Sequence, residues 1–282
     1  MITERNKRVE RYIRRYRISE VSPYINWVYF FHAWQVGERE ERERLRQEAE
    51  DIIKEIEGKY YTHALFCLGD AWSDGDDIVV EGNKIPMLRQ QEVKGRGVAC
   101  LCLADYIKPK GRGEKDKIGL FATSTDIGLE KDNHKDCYMG IMLQIIADRL
   151  AEATTEVIHK EVRTTLWGYS SDEDLSLEDL FMERFQGIRP AVGYPSIPDT
   201  SINFVLDQII GMGDIGIRLT ESGAMRPHAS VSGLMISHSK ARYFSIGKIG
   251  EDQLEDYAKR RGMPVELMRR FLGGVLREGK II

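Results

Sequence analysis

The sequence is poor in cysteine, with four in 282 residues, and these four lack the paired spacing of a zinc site or of a disulfide framework. Cys100 and Cys102 fall in GVACLCLADY, where strand alternation would place both side chains on one face, whereas Cys67 and Cys137 stand alone. Because a free cysteine usually behaves as a small buried hydrophobe, we expect core positions for them.

Long hydrophobic runs and excess positive charge are also missing. No apolar run approaches the roughly 20 residues that span a bilayer, and the amino terminus is charged where a signal peptide would be apolar. We therefore expect a cytoplasmic protein with no membrane contact. The formal net charge of −4 provides no global field for nucleic acid. Residues 5–17 are locally basic but include glutamate and tyrosine, which favours a solvated amphipathic helix over a binding arm.

The remaining composition is that of a folded domain, with 42% hydrophobic residues. Apolar residues recur every three or four positions in GEREERERLRQEAEDIIKEIEGK and over residues 136–162, which predicts two long helices. Between them, residues 62–123 form short β-rich runs divided by glycine, aspartate and proline, a pattern typical of antiparallel hairpins. We predict an α+β fold with a twisted antiparallel β-sheet flanked by helices.

The last third of the chain contains both helix-like and strand-like sequence patterns. Ser176, with Asp179 three positions later, predicts the start of a short helix. The stretch GIRPAVGYPSIPD, residues 187–199, holds three of the eight prolines and predicts a stiff segment. The runs GIRLTES, SVSGLMIS and RYFSIGKI read as strands, and helices are predicted for TSINFVLDQII and for residues 251–261 and 264–272.

Common catalytic templates are absent: the sequence has no HExxH, GxSxG, Walker or CxxC motif. GMGDIG, residues 211–216, does satisfy the GxGxxG pattern of a dinucleotide-binding turn. That turn needs a strand before it and a helix after it, whereas the predicted order here is helix, glycines, strand. We interpret the glycines as a helix C-cap and turn, and an NAD-dependent oxidoreductase stays a remote alternative.

Four motifs occur together in a fixed order: RPAVGYP, LTESGAM, SVSG and DQLEDYA. With the stretch ADRLAEATTEVIHKEVRTTLWGY, they resemble the carboxy-terminal activation domain of cobalamin-dependent methionine synthase. The resemblance runs from about residue 24 to residue 272. We accordingly expect an N-terminal helical extension over residues 1–20 and an activation-domain-like unit over residues 21–282.

The resemblance implies a function. Domains of this family bind S-adenosylmethionine and present it to cobalamin that has been oxidised to cob(II)alamin, and flavodoxin or a related reductase supplies the electron. The sequence has no DxHxxG cobalamin motif, so the cobalamin is expected on a partner, a methionine synthase polypeptide lacking its own activation domain. The chain would then be a component of a methyltransferase rather than a complete enzyme. The alternative is a corrinoid-protein docking module with weak or lost S-adenosylmethionine binding.

The resemblance also implies site residues. Arg189 is expected to contact the ligand carboxylate through paired hydrogen bonds, Ala191 to contact the ligand through its main chain, and Tyr194 to approach the corrin face. Glu152 and Glu183 are expected near the positive charges of the ligand, although a position on the helix surface is an equal explanation for Glu152. Tyr243 and Phe244 match an aromatic pair against the nucleoside, although core packing is an equal explanation for Phe244.

Asn26 departs from the family pattern. It stands in YINW where the family has an aspartate that pairs with the ligand's amino group. Asparagine can accept a hydrogen bond but brings no charge, and a charged hydrogen bond exceeds a neutral one by roughly 1 kcal/mol. We therefore expect an affinity lower by about tenfold.

Overall fold

A computed structural model describes residues 9–92, 97, 99–111, 113, 115–131 and 137–277. The strands are β1 (Glu10–Arg17), β2 (Tyr61–Asp74), β3 (Asp77–Val80), β4 (Asn83–Pro86), β5 (Asp116–Thr125), β6 (Arg218–Leu219), β7 (Met225–Arg226) and β8 (Ser230–Met235). The α-helices are α1 (Ile18–Val21), α2 (Trp27–Ala33), α3 (Arg39–Ile56), α4 (Ile127–Lys131), α5 (Cys137–Glu161), α6 (Leu177–Phe181), α7 (Ile202–Ile210), α8 (Glu251–Arg261) and α9 (Val265–Phe271).

The long strand β2 organises the main sheet. It pairs with β5 along one edge and with β1 and then β3 along the other, β4 pairs with β3, and β8 pairs with β5. Every one of these pairings is antiparallel, which confirms the predicted α+β fold. Side chains of alternate β2 residues point to opposite faces of the sheet and pack in different hydrophobic cores. Phe66 packs in the core with α3 and α5, and Leu65 packs in the core with α7.

The helix predicted for residues 5–17 is wrong over Glu10–Arg17, which is strand β1, and residues 5–8 lie outside the described part of the chain. Tyr12, Arg14 and Tyr16 are half-buried and alternate with exposed neighbours, so the burial has the two-residue period of a strand. Tyr12 stacks on Phe66 of β2 at 6.1 Å between ring centroids. Cross-strand aromatic contacts therefore outweigh the charge pattern that favoured a helix.

Two further strand predictions are wrong. In GVACLCLADY the residues Leu103–Tyr106 form a 3₁₀ turn, which Asp105 closes by accepting a hydrogen bond from the Cys102 amide at 2.8 Å. RYFSIGKI is irregular because its main-chain groups form hydrogen bonds outside a β-ladder. The Phe244 carbonyl, for example, accepts a hydrogen bond from the Ser196 hydroxyl. The expectation of buried cysteine is confirmed for Cys67 and Cys102, whereas Cys100 is half-buried and Cys137 is exposed at the start of α5.

The glycines of GMGDIG cap a helix. Gly211 ends α7 in the left-handed conformation at φ 68°, a 3₁₀ turn follows, and Gly216 at φ 82° leads into β6. The order is helix, glycines, strand, so the predicted C-cap is confirmed and no dinucleotide turn forms there. None of the helices in the described ranges combines the length and the apolar composition of a bilayer-spanning segment.

The stretch GIRPAVGYPSIPD, residues 187–199 and here called the proline segment, extends the sheet beyond β8. The Ile188 and Ile236 amides and carbonyls bond reciprocally at 2.9 Å, and the Leu234 amide donates to the Pro190 carbonyl at 3.0 Å. A Cβ at Gly233 would lie 2.2 Å from the Pro190 carbonyl oxygen. Only glycine therefore lets the two backbones approach this closely. At the far end of the segment, the buried Asp199 accepts a hydrogen bond from Tyr257 at 2.9 Å.

Gly233→Ala should lower the free energy of unfolding by about 1–3 kcal/mol, because the added methyl group forces the proline segment away from β8. Chemical denaturation measures the change. Gly37→Ala is the matched control, since a Cβ at the exposed Gly37 meets nothing within 4 Å and should change stability by less than about 0.5 kcal/mol. Equal effects of the two substitutions would contradict the close approach.

Candidate functional site

A cavity of about 700 Å³ opens between α5, α2, the end of α6 and the proline segment. Its volume lies within the roughly 300–1,000 Å³ of small-molecule sites. All eight residues that the resemblance singled out line it: Asn26, Glu152, Glu183, Arg189, Ala191, Tyr194, Tyr243 and Phe244. The fold thus brings together positions that lie far apart in the sequence, and their contact with a ligand remains a prediction.

One wall of the cavity is a face of α5. Glu152 and Ala153 follow Arg149 by three and four residues, and Glu156 follows Glu152 by four, so these side chains lie on the same side of the helix. Arg149 and Glu156 were not predicted. The available signal was spacing alone, since Glu156 follows the predicted Glu152 by four residues.

The opposite wall is the proline segment. Because Ile188, Pro190 and Val192 turn their main-chain groups toward β8, the main-chain groups of Arg189 and Ala191 point away from it. The Arg189 amide donates to the Tyr243 hydroxyl at 3.0 Å. The Ala191 amide makes no hydrogen bond to another described residue and is thus available as a donor.

Arg189 is held by contacts within the protein. Its side chain, 13% exposed, pairs with the Glu156 carboxylate, donates to His159 Nδ1 at 3.2 Å and lies 5.3 Å from the centroid of the Phe185 ring. Arginine has only donors, so His159 Nδ1 must accept and the ring proton resides on Nε2, which faces the Tyr169 hydroxyl at 3.3 Å. Two of the five Arg189 donors are therefore committed.

His159 sits behind the cavity wall. Although the polar face of a helix is the usual place for a lone histidine, the His159 side chain is fully buried. Burial, together with the charges of Arg189 and Arg163, lowers the pKa of His159 well below its usual value. A neutral imidazole thus orients Arg189.

Glu156 is a largely buried carboxylate of the cavity, with 14% of its side chain exposed. One oxygen pairs with Arg189, and the other, Oε2, is buried without a hydrogen-bond partner among the described residues. Burial raises the pKa of Glu156, and the positive charge of Arg189 opposes that rise.

Tyr194 and Glu152 meet at the solvent side of the cavity. The Tyr194 hydroxyl donates to Glu152 Oε1, and half of the Tyr194 residue is exposed. Burial of the hydroxyl and the adjacent Glu152 carboxylate raise the pKa of Tyr194, so the phenol stays protonated. An aromatic side chain is thereby fixed in orientation while one side remains open to solvent.

The other predicted residues complete the lining. Asn26 is the N-cap of α2, and its Oδ1 accepts a hydrogen bond from the Val28 amide at 3.1 Å. Glu183 is exposed and follows α6 at φ 54°, a left-handed conformation uncommon outside glycine. Phe244 lines the cavity and also packs against the core, so both explanations offered for it hold structurally.

No metal site accompanies the cavity: within the part of the chain that the structure describes, no three His, Cys, Asp or Glu side chains are arranged to hold a metal ion.

Two comparisons bear on identity. The family model described as "Vitamin B12 dependent methionine synthase, activation domain" matches residues 17–262. A crystal structure described as the MetH reactivation domain bound to AdoHcy shares 34% sequence identity with the chain and a TM-score of 0.90. That match covers 97% of this chain and 92% of the other. The chain therefore belongs to the family of activation domains of vitamin B12-dependent methionine synthase.

Proposed function

We propose that the cavity binds S-adenosylmethionine and that the chain supports the reductive methylation of cob(II)alamin to methylcobalamin on a methionine synthase polypeptide. The observation that carries this proposal is the convergence of three carboxylates, two guanidinium groups and a free main-chain amide on one 700 Å³ cavity. The similar domain of known structure binds AdoHcy, the product that S-adenosylmethionine leaves after losing its methyl group.

The charges of the cavity suit this ligand. S-adenosylmethionine carries two positive groups, the sulfonium and the ammonium, and one carboxylate. Glu152, Glu156 and Glu183 offer negative charge to the first two. Arg189 and the Ala191 amide offer donors to the carboxylate, and a guanidinium that remains partly free can still form a charged hydrogen bond.

The chemistry places few demands on the protein. One electron, from flavodoxin or a related reductase, converts cob(II)alamin to cob(I)alamin, which takes the methyl group of the sulfonium and releases S-adenosylhomocysteine. No proton moves in these steps, so the chain needs no acid–base pair. Its task is to hold the sulfonium methyl group at the cavity mouth and to limit water there, and the half-exposed Tyr194 is suited to meet the corrin.

Arg189→Ala should weaken S-adenosylmethionine binding by about 1.5–3 kcal/mol through loss of a charged hydrogen bond to the carboxylate. Isothermal titration calorimetry measures the affinity, with circular dichroism to verify folding. Arg184→Ala is the matched control, because Arg184 is exposed and does not line the cavity. An unchanged affinity in Arg189→Ala would remove this residue from the site.

Tyr194→Ala should leave S-adenosylmethionine affinity within about threefold and slow methyl transfer at least tenfold, because the side chain would no longer orient the corrin. The assay combines the chain with a separate methionine synthase polypeptide that lacks its activation domain, reduced flavodoxin and methyl-labelled S-adenosylmethionine. Labelled cobalamin reports action in trans. Ile13→Ala removes an exposed apolar side chain outside the cavity and should have no effect. If no label reaches the cobalamin with the unmodified chain, the trans-acting role is contradicted.

A second candidate, a corrinoid-docking module with weak or lost ligand binding, has one observation in its favour. Asn26 lacks the charge of the family's aspartate, and its carbonyl oxygen is already used by the Val28 amide. Absence of binding heat at millimolar S-adenosylmethionine would select this candidate.

A further inference from the structure

We propose that Glu156 receives the ammonium group of S-adenosylmethionine, the role that the family pattern assigns to the position of Asn26. This inference rests on the proposed function and identifies a specificity-determining residue within the same cavity. It follows from the geometry of Asn26, Glu156 and Arg189.

Asn26 is poorly suited to hold an ammonium group. Its only side-chain acceptor, Oδ1, caps α2 by accepting the Val28 amide at 3.1 Å, and its remaining side-chain group, Nδ2, is a donor. An ammonium group is itself a donor and carries a positive charge. The ligand therefore needs a carboxylate elsewhere on the cavity wall.

Glu156 has an acceptor that no other described group uses, which Asn26 lacks. Its Oε2 is buried and unpartnered among the described residues, although the carboxylate lines the cavity and is fixed through its other oxygen by Arg189. Buried polar atoms are nearly always hydrogen-bonded, so an orphan oxygen at a cavity wall indicates a missing donor. Rotation about the last side-chain bond of a glutamate is soft, so a small turn of the carboxylate exposes Oε2 to the cavity while Oε1 stays on Arg189.

The covalent structure of the ligand also selects Glu156. In an α-amino acid the ammonium and the carboxylate are attached to the same carbon, so their partners on the protein must be neighbours. Arg189, the expected partner of the carboxylate, is in direct contact with Glu156. One ion pair of the protein would thus face the ion pair of the ligand with opposite charges matched.

The two other carboxylates fit this role less well. Glu152 is one turn away and bonds the half-exposed Tyr194 at the solvent side, where it is closer to the expected position of the sulfonium methyl group. Glu183 is exposed, so water and salt weaken its attraction for a cation. The more buried Glu156 lies in a medium of lower effective dielectric constant, where a charged hydrogen bond is stronger.

The test compares two ligands in two variants. The ligands are S-adenosylmethionine and its desamino analogue, in which hydrogen replaces the amino group, and calorimetry gives each Kd. Glu156→Gln should raise the Kd for S-adenosylmethionine at least tenfold and that for the analogue no more than threefold. Glu152→Gln is the matched control on the same helix face and should affect both ligands alike.

Proton release offers a second measurement that needs no variant. Glu156 faces the charges of Arg189, Arg163, Glu152 and Glu183, and burial raises its pKa. An ammonium group at Glu156 lowers that pKa again, so S-adenosylmethionine should release more protons on binding than the desamino analogue at mildly acidic pH. Calorimetry in two buffers of different ionisation enthalpy measures the difference.

The outcomes separate the two levels of the proposal. Equal weakening of both ligands by Glu156→Gln, or selective weakening by Glu152→Gln instead, would overturn the role of Glu156 and leave the proposed function standing. Failure of the unmodified chain to bind either ligand would overturn both.

Discussion

The close pairing of the proline segment with β8 is the constraint on which the site depends. An extended segment that bonds one edge of a sheet must turn alternate main-chain groups outward, and this leaves the Ala191 amide pointing away from β8. The Arg189 side chain contacts Glu156 and His159 of α5. Gly233 allows the approach because no Cβ separates the two backbones. Pro190 and Pro195 restrict φ on either side of Ala191, so little entropy remains to be lost when a ligand binds.

The charges of the cavity form a connected arrangement. A neutral, buried His159 accepts a hydrogen bond from Arg189, which pairs with Glu156, while Glu152 holds Tyr194 near the solvent. A buried ion pair is expensive to dehydrate, so its presence is weak support for a purely stabilising role. At a cavity wall it has another use, since a zwitterionic ligand can be recognised by a fixed pair of opposite charges.

Sequence patterns predicted the parts of the fold that depend on local chemistry. The helical periodicity of α3 and α5, the capping box of Ser176 and the glycine C-cap of α7 are all confirmed. Three of the predicted cavity residues, Arg189, Ala191 and Tyr194, lie in the motif RPAVGYP, and the other five followed from the wider resemblance to the family. Strand β1 could not be predicted in this way, because the burial of its Tyr12 depends on stacking against Phe66 of the neighbouring strand. Glu156 and His159 were missed for the same reason, since only the contact with Arg189, some thirty positions away, distinguishes them from other polar residues of a helix.

A crystal structure of the chain grown with S-adenosylmethionine tests the central claim most directly. We expect the ligand in the cavity between α5 and the proline segment, with its carboxylate at Arg189 and the Ala191 amide, its ammonium at Glu156 and its methyl group directed past Tyr194 toward solvent. An empty cavity at saturating ligand, or a ligand bound at another surface, would contradict the account.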